Sequence, residues 1–346
     1  MASALKLKNG VVLPLLGLML IVTIIIASSV GAVSIPLATI LGSAWSKTVG
    51  FTGSHVVGTG TKDFIIWQIR LPRVVLSMLV GASLAVAGVV TQGLFKNPMA
   101  DPYIVGVSFG GGLGATVALL YGAALGFGEF LVPVAALLGA LGATFLVYNL
   151  ARTGGRVPVS TLILSGIAVG SFFSAIISLL MTVHGEDLQS VVFWLMGGMA
   201  ARSWRHVGMV IPFIAVGFAL AMAFSRELNV MVMGDERAYQ LGVDIERAKK
   251  VLIVAVSLLA GAAVSVSGLI GFVGLIIPHV VRLVIGPDHR ILLPCSALVG
   301  AIFLIFTDTL ARTILAPAEI PVGIITALFG TPFFMYLLRT KRNSLA

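Results

Sequence analysis

Charged residues divide the chain into nine long apolar stretches. Each holds about 20 residues or nearly so, the length that a helix needs to cross a hydrocarbon core of about 30 Å. Because the hydrophobicity is continuous and does not alternate, the pattern predicts helices and not a β-barrel. The stretches cover residues 11–33 and the runs that separate Arg73 from Lys96, Asp101 from Glu129, Glu129 from Arg152, Arg156 from Glu186, Arg205 from Arg226, Lys250 from Arg282, Arg290 from Asp308, and Glu319 from Arg339.

The run from Val251 to Val281 is too long for one straight span. Its 31 residues would form a helix of about 46 Å, and glycines cluster between Gly268 and Gly274. Counted as one span with the N-terminus inside, it divides Lys and Arg into 11 inside and 11 outside. A turn near the glycines changes the division to 15 inside and 7 outside, which the positive-inside rule favours. We therefore predict an all-α polytopic membrane protein with about ten transmembrane helices and both termini in the cytoplasm.

Composition excludes the soluble and disordered classes. Hydrophobic residues make up 58% of the 346 residues and charged residues only 10%, where a soluble domain carries about 25% charged residues. The net charge of +9 comes from short basic clusters between apolar runs, a pattern typical of loops that lie against anionic lipid. One cysteine, Cys295, excludes a disulfide framework.

The residues that enzymes need are missing. No Gly-Lys dipeptide occurs, so the chain has no Walker A loop for ATP. The five histidines show no metal-ligand spacing. A G-x-S-x-G match at residues 106–110 lies in an apolar run without the strand–turn–helix context of a nucleophile. The sequence predicts a protein that is not an enzyme and has no metal site.

Charge within the predicted spans is nearly absent. Asp308 is the exception, and Arg312 follows one helical turn later, so we interpret them as an i,i+4 ion pair. Proton- or sodium-driven transporters keep several ionisable groups at membrane depth. If this chain moves a solute, its driving energy is expected to come from another chain.

Residues 226–250 form the most charged segment, with ten of the 35 charged residues. Asp235 is expected to begin one short helix, and Asp244 to cap another beyond Gly242. The segment is either a solvated loop or a docking element for a cytoplasmic partner.

On the other side of the membrane, Arg70, Arg73 and Arg312 lie near predicted span ends. They either extend to the lipid interface or bind acidic groups of an extracytoplasmic partner.

Two apolar segments show weak internal similarity. Residues 81–98 and 261–278 match at five of 18 positions and would begin on opposite sides of the membrane. This is the arrangement of inverted repeats.

Several motifs together resemble the permease subunits of type II ABC importers, the family that takes up vitamin B12, haem and iron–siderophore complexes. They cover nearly the whole chain beyond the first span. The motifs are IRLPR (69–73), GASLAVAGVVTQGLFKNPMADPYIVG (81–106), LILSGIAVG (162–170), the 226–250 segment, GLIGFVGLIIPHVVRLVIGPDHR (268–290), TDTLAR (307–312) and EIPVGIITALFGTPFFMYLL (319–338).

The resemblance implies one permease domain over residues 1–346, in a homodimer or close heterodimer in a prokaryotic cell membrane. It implies two ABC ATPase subunits at the cytoplasmic face, an extracytoplasmic substrate-binding protein, and no directly bound cofactor, since the partner ATPase uses the ATP. It also implies a short outer interfacial helix near residues 187–196, within an outer region of residues 183–204.

The resemblance also assigns site residues. The translocation pathway and gate map onto Asn97, Met99, Val159, Ser160, Ile163 and Leu164. ATPase coupling maps onto residues 227–249, in particular Gly234, Asp235, Glu236, Arg237, Ala238, Leu241, Gly242 and Val243. Binding-protein docking maps onto Arg70, Arg73 and Arg312.

The resemblance implies import by alternating access and leaves the substrate open. Iron–siderophore is placed first as the commonest role in the family, followed by corrinoid, haem and, more distantly, oxyanions. A secondary transporter and a structural membrane scaffold are the alternatives from other classes. The scarcity of buried charge opposes the first, and the docking segment opposes the second.

Overall fold

The computed structural model describes residues 9–31, 35–36, 38–40, 42–43, 60–122, 128–185 and 188–345. We number its principal helices in chain order. They are α1 (Asn9–Ser29), α2 (Thr61–Leu94), α3 (Val107–Tyr121), α4 (Leu131–Ala151), α5 (Val159–Val183), α6 (Leu188–Leu195), α7 (Trp204–Ala223), α8 (Ser225–Val232), α9 (Asp235–Gln240), α10 (Ile245–Ser267), α11 (Val273–Ile285), α12 (His289–Ala311) and α13 (Val322–Leu345).

The predicted polytopic helical architecture is confirmed. Among the described residues, seven helices are long and apolar enough to cross a membrane, namely α2, α4, α5, α7, α10, α12 and most of α1. Three shorter apolar helices, α3, α11 and the first part of α13, accompany them. The count of ten spans and the cytoplasmic position of both termini remain predictions.

Helix α2 begins earlier than the charge pattern predicts. The predicted apolar run starts after Arg73, yet the helix starts at Thr61 and includes both Arg70 and Arg73. A π-helical turn over Ile65–Arg70 ends two residues before Pro72, which has no N–H to donate within the helix. The arginines are accommodated because they find carboxylate and carbonyl partners inside the protein.

The long run from Val251 to Val281 is broken where the loop charges indicate. Helix α10 ends at Ser267 and α11 begins at Val273. Gly268 has a φ of +65°, and a Cβ there would lie 2.1 Å from the carbonyl oxygen of Trp194. Glycine is therefore required at this position both for its backbone conformation and for the close approach of a neighbouring chain segment.

Helices α2 and α10 form the centre of the bundle. In the most apolar 18-residue stretch of each of these helices, 78% of the residues are buried. The same fraction is 17% for α1 and 28% for α5. The outer helices expose large apolar side chains such as Phe145, Phe172 and Leu179. Such exposure fits a lipid-facing or subunit-facing surface, and not a water-facing one.

Glycines allow the helix backbones to touch. A Cβ on Gly88 of α2 would lie 1.8 Å from the carbonyl oxygen of Gly274 in α11. Gly110 and Gly114 of α3 face the backbone of α4 at Gly139 and Ala135 in the same way. Gly110 and Gly114 are four residues apart and so lie on one face of α3, and small residues at this spacing let helix backbones approach closely.

Two predicted features fall partly outside the described residues. Lys6 and Lys8, which support the cytoplasmic N-terminus, precede the first described residue. Asp187, at the start of the predicted interfacial helix, is also outside the described ranges. Helix α6 occupies Leu188–Leu195, and its position at the outer interface remains a prediction. The two segments proposed as inverted repeats lie mainly in the central helices, and their repeat relationship remains a prediction.

Candidate coupling and docking sites

The charged 226–250 segment folds into two short helices and the start of a third. Gly234, with a φ of +119°, separates α8 from α9, and Gly242, with a φ of +79°, separates α9 from α10. Asp235 is the first residue of α9, and the Asp244 carboxylate accepts a hydrogen bond from the Arg247 N–H at 3.1 Å. Both helix starts are therefore as the sequence predicts, and the segment is ordered and not an irregular loop.

One side of this segment presents apolar side chains to the exterior. Tyr239 is 77% exposed, Leu241 66% and Met233 59%, while Ala238 is fully buried against the body of the protein. Exposed apolar residues on an ordered, charged element are typical of a surface that another protein covers. The eight residues that the resemblance assigns to ATPase coupling all lie in this part of the structure.

A cavity of about 940 Å³ separates α9 and the start of α10 from residues 156–158. On its wall, the Val157 N–H donates to Oε2 of Glu246 at 3.0 Å. Val157 immediately precedes Pro158 and the first turn of α5, which carries the predicted gate residues Val159, Ser160, Ile163 and Leu164. The start of α10 is therefore bonded directly to the chain that leads into α5.

A chain of charges joins α9 to the end of α2. Lys96 Nζ lies 2.5 Å from Oδ1 of Asp235, and Lys249 Nζ lies 3.3 Å from Oδ2. Partial burial works to raise the pKa of Asp235, but the two lysines outweigh it, and the pKa lies below its usual value. Lys96 is followed by Asn97, whose Oδ1 accepts from the Met99 N–H at 3.0 Å. The loop after α2 that carries the predicted gate residues Asn97 and Met99 is thus bonded through Lys96 to the segment assigned to ATPase coupling.

Helix α8 is bonded to the start of α12. Asn229 donates through Nδ2 to Asp288 at 2.8 Å and accepts through Oδ1 from the His289 N–H at 2.9 Å. Asp288 also caps α12 by accepting from the Arg290 N–H. The hydrogen bond from Asn229 holds the pKa of Asp288 below its usual value. The segment therefore has polar bonds to the ends of three helices, α2, α5 and α12, which the sequence patterns did not reveal.

The chain between α2 and α3, which includes the predicted gate residues Asn97 and Met99, packs against α5. The Ile104 carbonyl oxygen would lie 1.9 Å from a Cβ on Gly166 of α5. The hydroxyl of half-buried Tyr103 donates to the Ile270 carbonyl at 3.0 Å, beside the break between α10 and α11. Asn97, Ser160 and Leu164 are exposed, and Val159, Ile163 and Met99 are half-buried. The structure thus places the loop after α2 beside α5, with the predicted gate residues partly accessible.

The three arginines assigned to docking lie together at another site. Arg70, Arg73 and Arg312 line one cavity of about 260 Å³ with Glu319. They are 5%, 8% and 6% exposed, so they are not free surface charges. Glu319 is not among the docking residues that the resemblance assigns, and its position at the start of the EIPVG motif is its only signal in the sequence.

Arg73 is held by two carboxylates from distant parts of the chain. Its Nη2 lies 2.9 Å from Oδ1 of Asp308, and its Nη1 lies 2.9 Å from Oε1 of Glu319. The predicted ion pair between Asp308 and Arg312 is therefore wrong, because Asp308 points across to α2. Fork-to-fork pairing of a guanidinium with a carboxylate is geometrically better than an i,i+4 contact on one helix.

Arg70 and Arg312 bind the C-terminal end of α1. Arg70 Nη1 donates to the carbonyl oxygens of Ser28 and Ser29 at 2.9 and 3.0 Å. Arg312 Nη2 donates to the carbonyl oxygen of Ala27. The last carbonyls of a helix lack intrahelical donors and carry the negative end of its dipole. The two arginines thus have a structural role that neither sequence-based interpretation anticipated, and the docking assignment itself remains a prediction.

Within the described residues, no group of three His, Cys, Asp or Glu side chains is placed to hold a metal ion. Cys295 is buried.

Comparisons with known proteins point to one family. The FecCD transport family matches residues 19–340. The cobalamin import system permease protein of Halobacterium salinarum is 50% identical over 281 residues, which are 81% of this chain and 75% of that protein. The hemin transport system permease protein of Yersinia pestis is 38% identical over 97% of this chain and 98% of its own length.

A solved structure has the same fold. It is of a metal-chelate type ABC transporter in an inward-facing conformation, and it superposes with a TM-score of 0.81 at 34% sequence identity. The match covers 95% of this chain and 98% of that one.

Proposed function

Because the chain belongs to the FecCD transport family and is a multi-pass permease of the ABC importer type, we propose that it imports a metal chelate, driven by ATP hydrolysis on partner chains. The observation that carries the mechanism is the set of bonds from the 226–250 segment to the ends of α2, α5 and α12. Any force applied to that segment reaches both elements that bear the predicted gate residues.

The proposed cycle is alternating access. Two ABC ATPase subunits dock on the 226–250 segment of two permease copies and close when they bind ATP. The segment moves with them as a rigid body. Asp235 then carries Lys96 and the loop of Asn97 and Met99, and Glu246 carries Val157 and the first turn of α5. In each copy both gate-bearing elements follow that copy's own segment, so the gate opens or closes as the two copies move relative to each other.

We place binding-protein docking at the arginine cavity. There, three arginines face two carboxylates, Asp308 and Glu319, which leaves one positive charge in excess. Nε of Arg312 is buried without an acceptor among the described residues. A carboxylate from an extracytoplasmic binding protein would neutralise that charge and complete these hydrogen bonds. Glu319 is the more exposed of the two resident carboxylates.

For the substrate, we propose a corrinoid first and an iron–siderophore complex second. Frequency in the family alone favours the opposite order, with the iron–siderophore complex first. The 50% identity with a cobalamin permease favours the corrinoid. The iron–siderophore alternative is supported by a ferric-hydroxamate permease of Bacillus subtilis that is 38% identical over 81% of this chain.

Reconstitution tests this function. The chain is purified in mild detergent with the proteins that accompany it, which are identified by mass spectrometry and returned together to vesicles. We expect a Walker A ATPase to co-purify, and ATP-dependent uptake of radiolabelled cyanocobalamin to exceed that of a ferric hydroxamate. An ATPase with its Walker A lysine replaced is the control. Solute uptake that continues with this inactive ATPase would contradict the ATP-driven mechanism.

Docking is tested separately by replacing Arg70 and Arg312 together with glutamine and measuring binding-protein affinity. Because both arginines also bind α1, the variant's unfolding temperature and its ATPase content are measured in parallel. We expect weaker docking with the ATPase still bound. Unchanged docking affinity would remove the arginine assignment.

A further inference from the structure

A second cavity lies beside the arginine cavity and shares Arg73 and Glu319 with it. Its volume is about 180 Å³. The end of α6, the segment that follows it, Ser267 at the end of α10, and the residues that lead into α13 form the walls. Neither the sequence motifs nor the coupling mechanism assigns a role to this space.

Arg202 is the unusual residue of this cavity. Among the described residues it forms no ion pair, and its Nε is buried without a hydrogen-bond acceptor. Burial lowers the pKa of its guanidinium below the usual value. Neighbouring arginines differ, because Arg73 has two carboxylates and Arg205 binds Glu129 at 3.0 Å. A desolvated guanidinium without an anion is costly, so an anionic partner is expected.

Trp194 supplies a second unused donor on the same wall. Its Nε1 is buried without an acceptor in the described part of the chain, and an indole N–H can only donate. The Ser267 hydroxyl already donates to the Ala263 carbonyl at 2.8 Å. The remaining walls are mainly apolar, with Phe193, Met199, Ile320 and Pro321.

From this arrangement, we infer that the cavity binds a small organic monocarboxylate, with its oxygens on Arg202 and Trp194 and its apolar body against the hydrophobic walls. A carboxylate matches the guanidinium fork. A single negative charge fits better than two, because Glu319 is already on the rim. The inference does not depend on the transport role, since ligand binding is measurable on the isolated chain.

The test uses benzoate as the probe and benzamide as its uncharged counterpart of similar shape. Each is titrated into the full chain in detergent by isothermal calorimetry, and unfolding temperature is followed in parallel. We expect benzoate to bind and to raise the unfolding temperature, and benzamide to do neither. Trp194→Phe keeps an aromatic side chain but removes the N–H donor, and Arg202→Gln removes the charge. Each substitution should weaken benzoate binding at least about tenfold.

Arg205→Gln is the matched control, because Arg205 is three positions away, exposed and paired outside the cavity. It should retain wild-type affinity. The inference is overturned if wild-type protein does not bind benzoate, if benzamide binds equally well, or if Trp194→Phe and Arg202→Gln both keep wild-type affinity. If Arg202→Gln lowers stability without ligand, Trp194→Phe decides, with its own unfolding temperature without ligand measured beside it.

Discussion

Asp308 forms a buried ion pair with Arg73, 235 positions earlier in the chain, and not with Arg312 on the next turn of its own helix. The Asp308 side chain is 1% exposed and that of Arg73 is 10% exposed. The pair joins α2 to α12, and Glu319 extends it to the residues before α13. It therefore connects three parts of the bundle at the arginine cavity.

Breaking this pair should destabilise the protein strongly. Asp308→Asn leaves Arg73 buried with only Glu319, and loss of one partner of a buried pair costs about 3–5 kcal/mol. We expect a clear fall in the unfolding temperature measured in detergent. Glu129→Gln breaks the exposed pair with Arg205 and serves as the control, with a cost of about 1 kcal/mol or less. Equal effects of the two substitutions would contradict the structural role of Asp308.

The contact between Gly88 and Gly274 should tolerate no side chain. Gly88→Ala places a Cβ where the Gly274 carbonyl oxygen now lies, so α2 and α11 must separate. We expect loss of folded protein or a large drop in unfolding temperature. Gly142→Ala in α4 is the control, because nothing lies within 4 Å of its added Cβ. It should be neutral or slightly stabilising through helix propensity. A stable Gly88→Ala protein would show that the helices are not in contact there.

Asp101 should make stability depend on pH. Burial raises its pKa from 3.8 to about 6, although the Tyr103 N–H donates to it. The folded state therefore binds the proton more tightly, and stability falls as the pH rises from about 4 to about 6 and is constant above that. Asp101→Asn keeps an acceptor for Tyr103 but cannot ionise. Its unfolding temperature relative to wild type should rise across this interval. A difference that is the same at pH 4 and pH 7 would contradict the raised pKa.

The bond between Lys96 and Asp235 should transmit the ATPase motion. In the reconstituted importer, Lys96→Gln is expected to lower the solute moved per ATP hydrolysed several-fold, while the ATPase remains bound. The charge-reversed pair Lys96→Asp with Asp235→Lys should recover part of the loss, although Lys249 then faces a like charge. Lys250→Gln, an exposed neighbour, is the control. If it lowers transport equally, the specific link between Lys96 and Asp235 is not needed.

Much of the fold can be predicted from the sequence because it depends on a local property, the absence of charged residues over stretches of about 20 residues. The break at Gly268 and the helix starts at Asp235 and Asp244 are also local, since they depend on backbone freedom and on capping side chains. The same reasoning failed for Arg73 and Asp308. Their partners come from other helices, and the spacing of charges along one helix carries no information about them.

By itself, the sequence determined the helical membrane class, the charged 226–250 segment and the positions of its short helices, and its motifs identified the transporter family. Only the tertiary structure decided which charges meet. It paired Arg73 with Asp308 and Glu319, set Arg70 and Arg312 on the carbonyls of α1, and joined Asp235 to Lys96. The physical reason is that a buried charge is stable only beside a partner, and in a helical bundle that partner is supplied by whichever helix packs against it.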